Sequence, residues 1–88
     1  MTTQALTSVF AVDALNPVTL LAPNQNRDRF VVFNPQGVLY VKLAKYASQT
    51  NFTYRLSANC TLEHEGHIGY VSAIKLAGPS DVVVTELI

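Results

Sequence analysis

Residues 29–43 read RFVVFNPQGVLYVKL, and this stretch decides the fold class. Its two ends are runs rich in valine, phenylalanine, leucine and tyrosine, the side chains that fit the pleated, half-buried surface of a β-strand. Between them, residues 34–37 place Asn, Pro and Gly at the first, second and fourth positions of a type I turn. The stretch therefore predicts two strands, residues 29–34 and 38–43, joined as a hairpin.

The same alternation of short strands and turn residues continues in both directions along the chain. Turn signals recur about every ten residues, a spacing that favours an all-β sandwich or barrel. We therefore predict one domain, residues 1–88, with the fold of a single antiparallel β-sandwich or jelly roll of about eight short strands. The predicted strands are residues 6–12, 18–21, 29–34, 38–43, 52–56, 60–63, 68–76 and 81–87.

Two segments are open to a second interpretation. Residues 1–10 are rich in threonine, glutamine and serine, so they could form an N-terminal arm that becomes ordered only on docking. Residues 41–47 place apolar side chains near helical spacing, and we interpret them as a strand end followed by a turn, with a helical turn as the alternative.

The composition favours shared surfaces and excludes several classes of function. Charged residues make up 14% of the 88 residues, whereas an ordinary globular domain has about 25%. The net charge is zero and the basic residues form no run, so we expect no nucleic-acid partner and no membrane partner. The start of the chain lacks the pattern of a signal peptide, and the single Cys60 indicates folding in a reducing compartment.

Two of the predicted strands are apolar on both faces, residues 30–33 and 82–84. A strand of an isolated sandwich normally keeps one face polar, so either a loop or another subunit would cover the second face. Residues 27–29 add a mixed charge cluster, either an intersubunit ion pair or a solvated strand entry. The candidate oligomer or lattice interface is Phe30, Val32, Val82, Val83, Val84, Arg27 and Arg29.

Candidate chemistry is sparse. Residues 63–67 read EHEGH, and imidazole and carboxylate groups are metal ligands. The two histidines are three residues apart with a glycine between them, which fits a solvated hairpin tip better than the helical zinc motif. Cys60 has no sequence feature that would activate its thiol and is expected to be a small buried hydrophobe. We therefore expect no enzyme activity, no metal and no cofactor.

Four tyrosines raise a different possibility, a soluble module that binds a glycan or another ligand. Tyr40, Tyr46, Tyr54 and Tyr70 could form a carbohydrate platform, but tyrosines on strands are mostly half-buried packing residues. A small-molecule partner is therefore not the favoured interpretation.

Four segments resemble small structural proteins of tailed bacteriophages, which are short β-sandwich or jelly-roll units of the virion. The segments are RFVVFN at 29–34, VLYVKL at 38–43, GYVSAI at 69–74 and VVVTE at 82–86. The resemblance covers residues 27–86. The sequence departs from that pattern at Ala44, where glycine is common, and at the acidic, histidine-containing residues 63–67.

The resemblance implies a non-enzymatic virion structural protein made in the host cytoplasm. Within that class it favours a capsid decoration or cement protein on the capsid surface, a homotrimer that stabilises the capsid lattice. The implied partners are other copies of the chain and the major capsid protein or another virion protein. A head-fibre base, a head–tail adaptor and another tail component are alternatives in the same class.

Overall fold

The computed structural model describes residues 4–88, which form eight β-strands in two four-stranded antiparallel sheets. Each predicted strand overlaps one strand of the structure, so the prediction of a small all-β sandwich is confirmed. The strands are β1 (Ala5–Val12), β2 (Val18–Leu21), β3 (Arg29–Asn34), β4 (Leu39–Lys42), β5 (Tyr54–Leu56), β6 (Cys60–Glu65), β7 (Val71–Lys75) and β8 (Ser80–Leu87).

The strand pairing is nested from the ends of the chain inward. The first sheet has the order β1-β8-β3-β6 and the second sheet has the order β2-β7-β4-β5. The ladders β1–β8, β2–β7, β3–β6 and β4–β5 are those of one long antiparallel hairpin rolled into two layers. This arrangement of eight strands is a jelly roll.

The predicted hairpin across residues 34–37 is wrong. β3 pairs with β6 and β8, whereas β4 pairs with β5 and β7, so the turn crosses from one sheet to the other. The turn itself is present, and Gly37 has a φ of 71°, a conformation that favours glycine. Turn residues indicate that the chain reverses direction, but they do not determine which strands pair with each other.

The core lies between the inner faces of the two sheets and follows the alternation of each strand. Phe30 and Val32 are fully buried, while Val31 and Phe33 between and beside them are only partly buried. The fully or almost fully buried apolar residues of this core are Val12, Leu20, Phe30, Val32, Leu39, Val41, Leu56, Val71, Ala73, Val82 and Val84.

The N-terminal segment belongs to the sandwich. β1 pairs with β8 over its full length, from Ala5 opposite Leu87 to Val12 opposite Ser80. Residues 5–10 are therefore a strand and not a free arm, and residues 1–3 lie outside the described residues.

The second sheet is covered on its outside by its own chain. β4 ends at Lys42, one residue before the predicted end of this strand, and the following segment returns across the sheet. The Ala47 amide donates to Ser72 Oγ at 3.0 Å, and the Ser72 hydroxyl donates to the Ala44 carbonyl at 2.7 Å. The rings of Tyr40 and Phe52 pack with centroids 4.5 Å apart. The two sheets therefore differ in how their outer faces meet solvent.

Candidate interaction surface

The candidate surface is the side of the first sheet that points away from the core, which we call the outer face. Strand register aligns its residues in rows across the sheet. Val9 lies opposite Val83, Val83 opposite Phe33, and Phe33 opposite Thr61. Val9 is 62% exposed, and Phe33 and Val83 are partly exposed. One row of this face is thus apolar over three neighbouring strands.

The adjoining row is polar but uncharged over two strands. Thr7 lies opposite Thr85, and their hydroxyl oxygens are hydrogen-bonded at 3.0 Å. Val31 follows Thr85 in the same row. The centre of the outer face, which consists of Thr7, Val9, Val31, Phe33, Val83 and Thr85, therefore carries no ionisable group.

Charges stand at the border of the outer face. Arg29 donates from Nη1 to Glu63 Oε1 at 3.1 Å, and the two side chains are 39% and 54% exposed. A half-exposed pair of this kind contributes little to stability. Its effect on the surface is to neutralise the border next to β6.

The structure corrects most of the predicted interface. Phe30, Val32, Val82 and Val84 have at most 1% of their surface exposed, so their side chains pack inside the sandwich and are not interface groups. Val83 does lie on the outer face, where it remains an interface prediction, and so does Arg29 at its border. The same alternation applies to both apolar runs: every second residue faces the core, and the residues between them face outward.

Arg27 is an internal anchor and not an intersubunit ion-pair residue. It is 4% exposed, and its Nε donates to Glu86 Oε2 at 2.8 Å. Its Nη1 donates to the carbonyls of His67 and Gly69 at 3.1 and 2.9 Å. The guanidinium group thereby ties the loop before β7 to β8, and the planar fork of donors is suited to that task.

The alternation of β6 separates the side chains of the candidate metal cluster. The predicted hairpin is wrong because β6 ends at Glu65 and the next strand, β7, lies in the other sheet, although the chain does turn at Gly66, which has a φ of 83°. Glu63 and Glu65 face outward, whereas His64 packs 5.7 Å from the Phe30 ring and its Nδ1 lies 3.2 Å from Tyr54 Oη. His67 contacts the Tyr70 carbonyl through Nε2 at 2.8 Å. Within residues 4–88, no group of three or more His, Cys, Asp or Glu side chains is placed to hold a metal ion.

Cys60 is exposed, so the prediction that it is buried is wrong. It lies on the same strand face as His64, four residues away, which is about 13 Å along an extended chain. An imidazole at that distance cannot take a proton from the thiol. This pair therefore offers no nucleophile and base in contact.

The tyrosines do not share one exposed face. Tyr40 is 8% exposed beneath Phe52, so it cannot belong to a ligand platform. Tyr46 is 73% exposed, and Tyr70 has the Lys45 Nζ 4.3 Å above its ring. An open groove lies elsewhere, between residues 35–36 and 79–81 beside Ala11, where it continues the outer face.

Lys75 is a structural residue that the sequence interpretation missed. It is fully buried, and its Nζ donates to Asn34 Oδ1 at 2.6 Å and to the Gln36 carbonyl. Burial lowers the pKa of the Lys75 ammonium below its ordinary value. The sequence could have indicated this burial through alternation, because Lys75 shares a strand face with the buried residues Val71 and Ala73.

Comparisons with known proteins add no relative. No protein-family model matches this sequence, and no curated protein and no solved structure matches it significantly. The part of the chain that the structure describes has no helix with the length and apolar character needed to cross a membrane.

Proposed function

We propose that this protein is a non-enzymatic structural component of a bacteriophage virion, a capsid decoration or cement protein that self-associates and binds the capsid lattice through the outer face. The observation that carries the proposal is the accessible apolar row of Val9, Val83 and Phe33, beside an uncharged row of Thr7, Thr85 and Val31. The opposite sheet has its outside covered by its own chain, which leaves the outer face as the surface to be buried by a partner.

The chemistry of this face matches that of the buried centre of a protein interface. Such centres are depleted in charge and enriched in aromatic and apolar groups, with polar residues at the rim. A contact of about 1,200–2,000 Å² is sufficient for stable association without any covalent step. A small neutral sandwich can therefore cement a lattice by covering apolar surface between its neighbours.

The internal use of polar groups also supports a structural function. Arg27 and Lys75 are buried, and their hydrogen bonds hold loops and sheet corners together. His64 is engaged with Tyr54 inside the sandwich. These three side chains are thus used for stability, which supports a structural function.

The virion setting is supported by the resemblance and by the fold, and the trimer is supported by the resemblance. Jelly rolls are a common architecture of viral capsid proteins, although lectins and other proteins use it too, so the fold alone does not determine the function. A trimer would match the threefold positions of a capsid lattice. Attachment at the head–tail junction or on a fibre would use the same face with a different partner.

Self-association is tested by light scattering and sedimentation velocity over a wide concentration range, with Val83→Lys as the variant. Lysine at this position places a charge in the middle of the apolar row, and we expect the assembled species to dissociate while the sheet stays folded. Leu15→Lys is the matched control, because Leu15 is 83% exposed in a loop between β1 and β2. A wild-type protein that is monomeric at every concentration would contradict self-association.

Lattice binding is tested by co-sedimentation with capsids from the phage whose genome encodes this chain. Wild-type protein and Leu15→Lys should pellet with the capsids, and Val83→Lys should remain in the supernatant. A gene for a major capsid or portal protein beside the gene for this chain would support the virion setting independently. Absence of the chain from purified virions, measured by mass spectrometry, would exclude it.

A further inference from the structure

The free edge of β1 is the longest strand edge within residues 4–88. β1 spans eight residues, pairs with β8 only, and is exposed over most of its length. Gln4 and Ile88 exchange both backbone hydrogen bonds, at 3.1 and 2.9 Å. Because hydrogen-bonded and non-hydrogen-bonded pairs alternate in an antiparallel ladder, Leu6, Ser8, Phe10 and Val12 bond to β8. The backbone groups of Ala5, Thr7, Val9 and Ala11 therefore point away from the sheet.

This edge lacks the features that usually prevent strand pairing. Sheet edges are commonly protected by charges, proline, bulges or short length. The other three edges have such features: β6 contains Glu63 and Glu65, β5 has three residues including Arg55, and β2 has four residues with a register shift. By contrast, residues 4–12 contain neither a charged residue nor a proline.

We propose that β1 pairs with β1 of a second copy, antiparallel about a twofold axis that passes beside Ser8. This inference rests on the self-association proposed above, but it specifies a twofold contact between two copies, which differs from the threefold contacts of a trimer; it does not depend on the virion setting. In this register Ala5 lies opposite Ala11 of the other copy and Thr7 lies opposite Val9. All four edge-facing residues of each strand then bond across the axis, which gives about eight backbone hydrogen bonds.

The side chains are compatible with the same register. Side chains of one face meet side chains of the same face, because opposite residues sum to an even number. On the inner face Leu6 lies opposite Phe10 of the other copy, and this contact covers Leu6, which is 44% exposed in the single chain. Because the twofold axis pairs the strand with its own copy, residue 8 lies opposite itself, and a charge near the axis would come close to the same charge on the other copy. A strand without charges avoids that repulsion, which is why a second copy is the favoured occupant.

The first test removes one edge-facing donor. Proline at position 9 removes a backbone N–H that points away from β8. The hydrogen bonds between β1 and β8 are therefore retained. Val9→Ala is the matched control, because it also removes the valine side chain but retains the amide. We expect the dissociation constant of the dimer to rise at least about tenfold more in Val9→Pro than in Val9→Ala. Circular dichroism of the dilute proteins verifies that both variants remain folded. Equal dissociation constants in two folded variants would overturn the proposal.

The second test measures the register directly, in a Cys60→Ser background that removes the exposed native thiol. Ser8 lies opposite its own image at a non-hydrogen-bonded position, where the Cα atoms are about 4.5 Å apart and a disulfide can form. Ser8→Cys should therefore yield a covalent dimer on mild oxidation, and Thr7→Cys, which lies opposite Val9, should yield far less. Equal yields, or no covalent dimer from Ser8→Cys, would overturn the proposed pairing.

The two proposals fail in different ways. Suppose that Val83→Lys dissociates the assembly and that Ser8→Cys, with Val83 retained, forms no covalent dimer. The outer face is then the contact, and the strand pairing is wrong. If Ser8→Cys cross-links in the presence of Val83→Lys, the strand pairing stands independently of the outer face. Pairing of β1 with a different protein would leave the purified Ser8→Cys chain without a covalent dimer, which also overturns the proposal.

Discussion

Lys75 on β7 donates a hydrogen bond of 2.6 Å to Asn34 Oδ1 on β3, and this contact joins the two sheets at one corner of the sandwich. Both residues are fully buried. The Asn34 amide nitrogen in turn donates to the carbonyls of Gly37, Leu56 and Ser57. A buried ammonium held by neutral oxygens is costly unless these bonds persist, so the corner should be rigid.

Substitutions at this corner should differ in their cost. Lys75→Met removes the buried charge but leaves two acceptors unpaired, and we expect a loss of about 1–3 kcal/mol in the free energy of unfolding. Asn34→Ala leaves the buried ammonium without one of its acceptors and should cost more, about 3–5 kcal/mol. Urea denaturation measures both values, with Lys42→Met as a control at a less buried lysine. A greater loss for Lys75→Met than for Asn34→Ala would show that the charge itself stabilises the corner.

The stability should rise with pH in the alkaline range. Burial lowers the pKa of Lys75 in the folded protein below the value of 10.5 expected of an exposed lysine. Between these two pKa values the unfolded chain binds more protons than the folded chain, so the free energy of unfolding increases as pH rises through that window. Lys75→Met should lack this increase. Parallel pH profiles of the two proteins would contradict the assignment.

Breaking the Arg27–Glu86 pair should destabilise the single chain and not only an assembly. The pair has a distance of 2.8 Å, and the Arg27 side chain is fully buried. Removal of one partner from a buried pair leaves an uncompensated charge, so Arg27→Met should cost about 3–5 kcal/mol. The loss should be independent of protein concentration in thermal denaturation. A loss that appears only at high concentration would restore the intersubunit interpretation of Arg27.

Asp13 should give a smaller effect in the acidic range, where stability again rises with pH. Amide donors of Asn16 and Leu15 bind its carboxylate, at 3.0 and 2.9 Å, and hold the pKa of Asp13 below its ordinary value. The stability from these bonds is present above the unfolded-state pKa and is lost as pH falls through the folded-state pKa. Asp13→Asn retains an acceptor oxygen, so its melting temperature at neutral pH should lie above that of Asp13→Ala. The reverse order would contradict this role of the Asp13 side chain.

Substitution by lysine should strongly destabilise the fold at one of two neighbouring valines on β8 and leave it intact at the other. Val82 is fully buried in the core, and Val83 lies on the outer face. Val82→Lys places an unpaired charge among apolar groups and should cost more than about 3 kcal/mol, a large part of the stability of so small a domain. Val83→Lys should remain folded by circular dichroism. Unfolding of both variants would mean that the outer face is not accessible to water.

The sequence predicted the strands better than their neighbours. Turn residues and β-forming side chains located all eight strands because these preferences act over a few residues. The turn at residues 34–37 was recognised, but the same local conformation serves a hairpin or a crossing between sheets. Likewise, the apolar runs at 30–33 and 82–84 were correctly seen as apolar on both sides, and only the register decided that Val83 faces outward while Val82 and Val84 face the core.

By itself the sequence determined a strand-rich chain of zero net charge whose alternating side chains must form two layers around one core. The tertiary structure alone decided that the first strand pairs with the last, which leaves β1 at an open edge, and that Arg27 and Lys75 are buried. The physical reason is the distance along the sequence over which each interaction acts. Strand formation depends on adjacent side chains, whereas strand order and the burial of a charge depend on partners that lie far away in the sequence and meet only in the folded sandwich.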